Sequence, residues 1–239
     1  MPELEDTRHP RAEARPAVTG YARVIAPLAR LILTVLCRID RSQLDLIPKK
    51  GPFILVTNHI NFLEAPLLYA FLYPRDIAGF AKAETWRVPV LGLLARAWDC
   101  VPVVRGAIDM GSMRQALEAL QRGRILNVMP EGTRSHDGRL GRGQEGVVAM
   151  AWRAGVPLVP VAHFGGESFW RNFKRGRRTS VSVRVGAPFR LRKPEPGRAK
   201  TARAEAADEI MLRLAELLPP EYRGEYRNRE AVYRQLTPA

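Results

Sequence analysis

His59 and Glu64 are the pair in this sequence best placed to move a proton. An imidazole titrates near neutrality and can take a proton from a hydroxyl. A carboxylate that accepts from its Nδ1–H fixes the tautomer and leaves Nε2 free as the base. Both groups lie in one stretch, FILVTNHINFLE, residues 53–64. A second reading of the same letters stands beside this one. Asn61-x-x-Glu64 is a capping-box pattern, in which Glu64 reaches back to the Asn61 N–H and His59 is an ordinary turn residue. Further charges fall at patterned places: Lys82, Arg105, Glu131 and Arg134 each follow an apolar run.

Those runs are the elements that must position the chemistry. FILVT at 53–57 follows Gly51-Pro52 and is apolar throughout, as a buried strand is. Similar strand-like runs occupy 77–81, 100–104, 125–129, 157–164 and 179–185, with a short one at 43–47. Helical patterns fill 66–72, 88–97, 110–122, 145–154 and 201–218. Met113, Ala116, Leu117 and Leu120 share one side of the third of these, and Gly123 follows it as a C-terminal cap residue. Strands alternating with helices of about ten residues predict an α/β fold: a mostly parallel, twisted sheet flanked by helices. In such a sheet the carboxyl ends of the strands share one edge, where ligands bind. Residues far apart in sequence then converge.

The chain has 239 residues, is 46% hydrophobic and 26% charged, and carries a formal charge of +14. That balance fits one globular α/β domain, and the excess of cations implies an anionic partner. Cys37 and Cys100 have no metal-ligand spacing, so no disulfide framework and no metal centre are expected. Ser135-His136-Asp137 resembles a triad in letters only, because adjacent residues cannot converge in that geometry. His163 follows a strand and could line the site, though a structural role is the commoner one. Gly138, Gly141 and Gly143 lack the spacing of a dinucleotide fingerprint.

Residues 1–16 read as a mobile polar arm, and 17–39 as an N-terminal amphipathic helical segment. Arg23, Arg30 and Arg38 recur along 17–39, with Pro27 expected to kink or divide it. Such a segment can lie in a membrane interface or pack on a core. Residues 171–203 hold twelve Lys or Arg and one acid, Glu195, with Phe169, Trp170 and Phe173 at its start. This region suits an anionic lipid surface, and less well a nucleic acid, since no nucleic-acid motif accompanies it. Residues 221–239 read as a polar, aromatic-bearing tail.

Taken together, the motifs resemble the 1-acylglycerol-3-phosphate acyltransferase family, the PlsC-like glycerolipid enzymes. Asn58-His59 with Glu64 is similar to the first block of that family, although its usual acid is Asp. Lys82-x-Glu84, Cys100 to Arg105, Pro130-Glu131-Gly132-Thr133-Arg134-Ser135 and Val156 to Val161 resemble the blocks that follow. The resemblance covers about residues 50–190 and gives 40–220 as an acyltransferase domain. It implies His59 as general base and Glu64 as its partner, with Lys82, Arg105 and Arg134 on the acceptor phosphate. Glu131, with Gly132 and Thr133, would hold the loop or meet an acceptor hydroxyl. It further implies a lysophospholipid acceptor, and acyl-CoA or acyl-carrier protein as co-substrate with no cofactor. The expected location is peripheral, on the cytoplasmic face of an anionic membrane, with no nucleic-acid partner. The competing reading is a lipid-binding relative that keeps the fold and has lost turnover through Glu64.

Overall fold

The computed structural model describes residues 20–103, 109–135 and 137–239. Nine strands form one sheet: Cys37–Asp40 (β1), Phe53–Thr57 (β2), Ile77–Lys82 (β3), Val101–Val103 (β4), Ile125–Val128 (β5), Leu158–Phe164 (β6), Thr179–Val185 (β7), Phe189–Leu191 (β8) and Leu236–Pro238 (β9). The order across the sheet is β1-β7-β6-β2-β5-β3-β4, with β8 paired to β6 and β9 paired to β8. The five strands from β6 to β4 are mutually parallel. β7 runs antiparallel to β6, and β1 pairs parallel with β7. The α/β architecture expected from the sequence is therefore present.

β2 lies at the middle, pairing Leu55 with Asn127 on one side and Val159 on the other. All five of its residues are buried. Helices cover both faces of a parallel sheet, so its central strands need apolar residues at every position and show no alternation. One face packs against the helices Gly20–Leu36 (α1), Glu64–Leu72 (α2), Pro89–Ala97 (α3) and Phe169–Phe173 (α6). The other packs against Met110–Gln121 (α4), Gly146–Ala154 (α5) and Ala199–Glu216 (α7). β7 alternates buried and more exposed residues, as befits a strand near the sheet's margin.

The N-terminal segment departs from expectation in three ways. Residues 37–40 are a strand, not the end of a helix, because pairing with β7 satisfies their backbone groups. The strand expected at 43–47 is a short turn of 3-10 helix, Leu44–Leu46. Pro27 lies inside α1 without dividing it, where Ala22, Ala26 and Leu33 pack inward. The row of three arginines is consequently broken. Arg38 belongs to β1, and Arg30 turns inward to donate to the Ala70 carbonyl at 2.8 Å.

Residues 221–239 return to the sheet. Tyr226 is buried, the Tyr222 carbonyl accepts from the Leu140 N–H, and β9 pairs with β8. At the amino edge, Arg124 bridges Asp76 at 2.8 Å and Asp99 at 2.9 Å. This triad joins the chain before β3, the turn after α3 and the start of β5, far from the carboxyl ends of those strands.

Gly165 ends β6 with φ +90°, and a Cβ there would overlap the Ser180 carbonyl oxygen of the neighbouring strand. Left-handed strain and a backbone clash would act together. Gly165→Ala is expected to destabilise the fold by about 2 kcal/mol or more. Chemical unfolding measures this; a change within experimental error would contradict the geometry.

Candidate active site

The buried strand β2 delivers Asn58 and His59 to the carboxyl edge of the sheet, and α2 begins five residues after the histidine. His59 Nδ1 lies 3.3 Å from Glu64 Oε2, with side-chain exposures of 20% and 3%. Glu64 Oε1 accepts from the Asn61 N–H at 2.9 Å. Glu64 thus makes both contacts at once, one per oxygen. Because α2 starts at Glu64 itself with Leu63 as its N-cap, the reach back to Asn61 closes the turn without forming the expected capping box. A neutral imidazole that donates from Nδ1 in this contact keeps its lone pair on Nε2. The separation is at the long end for such a bond. Glu64 also opens α2, where the helix N-terminus favours negative charge.

The turn itself is tightly held. Asn61 Oδ1 accepts from the Leu63 N–H at 2.7 Å, and its Nδ2 donates to the Gly166 carbonyl at 2.6 Å. Asn58 is buried and binds both backbone groups of His163, accepting at 2.7 Å and donating at 2.8 Å. The His59 backbone is fixed by the turn that follows β5. Its N–H donates to Glu131 Oε1 at 2.7 Å, and its carbonyl accepts from the Ser135 N–H at 2.7 Å. Glu131 Oε2 accepts from the Gly141 N–H at 2.8 Å. Glu131 is 5% exposed with both oxygens engaged by backbone, so its geometry is that of a loop-holding residue. Burial pushes its carboxyl up, against the bonds from Gly141 and His59.

Gly132 takes φ +68° and its N–H closes on the Met129 carbonyl, a conformation glycine adopts without strain. Thr133 and Arg134 beyond it are exposed. Lys82 is exposed at the carboxyl end of β3, two strands from β2, with β5 and the Glu131 turn between. The sheet edge therefore carries His59, Glu64, Lys82, Glu131 and Arg134 together. Arg105 lies outside the described residues.

A profile of the family described as Acyltransferase matches residues 38–163, more than half of the chain. The chain belongs to the acyltransferase family. A 1-acyl-sn-glycerol-3-phosphate acyltransferase of Pseudomonas aeruginosa is 30% identical over 168 residues, 67% of this chain and 61% of that protein. A lyso-ornithine lipid O-acyltransferase from the same organism is 36% identical over 114 residues, 47% of this chain and 43% of that one. The crystal structure of the 1-acyl-sn-glycerophosphate (LPA) acyltransferase PlsC from Thermotoga maritima superposes with a TM-score of 0.59. It is 25% identical and covers 82% of this chain and 78% of its own. The match thus spans about three fifths of the first relative, 61% of its length.

Within this acyltransferase fold, several residues quoted for their motifs also make bonds that the motifs did not announce. Asn58, Asn61 as an anchor to Gly166, and Ser135 shape the site through backbone bonds. The signal for Asn58 was an amide at the end of a fully apolar strand, which must find partners when buried. His163 is 2% exposed, and neither ring nitrogen has a hydrogen-bond partner among the described residues. Burial lowers its pKa to about 4, with Glu64 and His59 acting on it in opposite senses. An ordinary histidine titrates near 6.5. Between these values the unfolded chain binds a proton that the folded chain refuses, so stability falls as pH drops through the window. Wild type should lose roughly 3 kcal/mol more than His163→Leu between about pH 7 and about pH 4. Denaturant titrations at both pH values measure this; equal losses would show that His163 does not stay neutral in the fold.

Proposed function

We propose that this protein transfers a fatty acyl group from a thioester donor to a free hydroxyl of lysophosphatidate or a similar lysolipid. The observation that carries the reading is the His59–Glu64 pair, with Nδ1 on the carboxylate and Nε2 left as base at the ligand edge of the sheet. In this mechanism Nε2 takes the hydroxyl proton and Glu64 stabilises the imidazolium. The alkoxide oxygen attacks the thioester carbonyl and a tetrahedral adduct forms. The C–S bond then breaks, and the thiolate leaves with the proton returned from the imidazolium. A thioester is already reactive, so deprotonation and positioning carry much of the catalysis. Acyl-CoA and acyl-carrier protein both satisfy this chemistry as donor.

The exposed cations at the edge support a phosphorylated acceptor. Arg134 would supply paired donors to a phosphate, with Lys82 and Arg105 adding charge. Gly132 and Thr133 would present Arg134, while Glu131 keeps the turn in place. Glu64 in place of the family's usual Asp is compatible with turnover, because its longer side chain reaches Nδ1 and closes the turn at Asn61. Such substrates partition into bilayers. We therefore place the protein peripherally at an anionic membrane, on its cytoplasmic face. No helix among the described residues is long and apolar enough to cross a membrane, and the exposed apolar side of α1 suits an interfacial position.

His59→Ala should lower turnover at least about 10²-fold, the range for loss of a general base, with unfolding hardly changed. Thiol release from acyl-CoA in the presence of lysophosphatidate reads this out, and near-normal turnover would overturn the mechanism. Arg134→Ala should raise the acceptor KM and leave the donor KM unchanged. The reverse pattern would remove its phosphate role. A panel of lysolipid acceptors with one labelled donor then identifies the headgroup.

A further inference from the structure

The large apolar side chains that remain exposed are unevenly distributed. Among the described residues there are fifteen, and twelve lie on or directly before α1, α3 and α6. These helices all cover the same face of the sheet. The opposite layer leaves Met110 as its one exposed large apolar residue among those described. On α6 the exposed residues are aromatic: Trp170 is 58% and Phe173 50% exposed. They are braced from beneath. Phe169 is buried, Trp170 lies 5.2 Å from it edge-on, and Phe173 stacks on it at 5.9 Å. Phe62, which sits between His59 and Glu64, contacts both Phe169 and Trp170 at 5.3 Å. The exposed rings are thus built onto the turn that carries the base.

The segment around these rings, residues 171–178, holds five cations and no acid. Arg178 donates to the carbonyls of Thr34 and Cys37 at 2.6 Å each, which joins this segment to the end of α1. Lys174, Arg175 and Arg177 are exposed and form no ion pair among the described residues. Aromatic tips beside unpaired cations match the chemistry of an anionic bilayer surface. Rings settle at headgroup level, and Lys and Arg meet lipid phosphates. A single-stranded nucleic acid could also meet stacked rings and arginines. It has no use for the aliphatic side chains that α1 and α3 expose in the same layer, and a bilayer does.

We propose that Trp170 and Phe173, with Lys174, Arg175 and Arg177, form a membrane anchor that seats the His59 turn at the headgroup level of an anionic phospholipid bilayer. The lipid reading of the active site enters only in the choice of partner. The anchor adds to α1 a second attachment point next to the catalytic turn, and two weak attachments together hold far better than one.

The test uses the full chain, with Trp170→Ala/Phe173→Ala and Lys174→Glu/Arg177→Glu as separate double variants. All four side chains are exposed, so both variants should stay folded by circular dichroism, the aromatic one unfolding at a somewhat lower temperature because it loses ring contacts to Phe62 and Phe169. Binding is measured by sedimentation with phosphatidylcholine vesicles, with and without phosphatidylglycerol. Wild type should bind the anionic vesicles more strongly, and added salt should weaken this binding. Each double variant should bind them at least about tenfold more weakly. Brominated lipid should quench wild-type fluorescence more than that of Trp170→Phe. Vesicle binding left intact in both variants, or equal quenching, would overturn the anchor. So would a shift of an oligonucleotide by a protein that ignores vesicles. Acyl transfer is assayed separately, with a water-soluble short-chain acceptor. A protein that docks through Trp170 but releases no thiol keeps the anchor and loses the enzymatic reading. Turnover with vesicle binding insensitive to both variants does the reverse.

Discussion

The site depends on how one residue's backbone is held. His59 gives its N–H to Glu131 and takes the Ser135 N–H on its carbonyl, so the turn after β5 grips the turn after β2 on both sides. Neither bond involves the imidazole. With the backbone fixed, the ring need only choose a side-chain rotamer, and Glu64 selects it through Nδ1. Glu131 can serve only if its own charge is satisfied, because an unpaired buried carboxylate would be costly. Gly141 completes that requirement by donating to its second oxygen. The loop at 141 therefore bears on the geometry of the base without facing it.

A similar economy appears in Asn58 and Glu64. Asn58 satisfies both backbone groups of one residue on the adjacent strand, which fixes β6 against the end of β2. Glu64 divides its oxygens between a structural bond and an electrostatic one. A group with two acceptor oxygens can cap a turn and orient an imidazole together. That explains how residues 59–64 carry two patterns, a reach from Glu64 back to the Asn61 N–H and an approach to His59.

Much of the fold could be read from the sequence because the central strands are buried on both faces. FILVT admits no other placement in an α/β chain, and Thr179–Val185 shows its alternation plainly. The strand at residues 37–40 was hidden because CRID is short and follows a helix, and only its partner β7 makes it a strand. β8 and β9 are three residues each and depend on one another across a long separation. In the site, the titratable side chains were visible as types at strand ends. The bonds that hold the turn were not, since each has a main-chain group on at least one side, which no residue type advertises. The hold that Glu131 exerts on the turn became visible only with both of its backbone partners.

The two edges of the sheet are built on different terms. At the amino edge, buried Arg124 closes on the partly exposed Asp76 and Asp99, and this triad ties together elements that also supply the site. At the carboxyl edge, exposed Lys82 ends β3, and Thr133 and Arg134 lie exposed on a turn held by backbone bonds and by Glu131. Cohesion is thus anchored at one pole and exposed charge displayed at the other. The outward side chains can be exchanged without loosening the pole that keeps the strands in register, so the sheet works as a stable chassis with replaceable fittings.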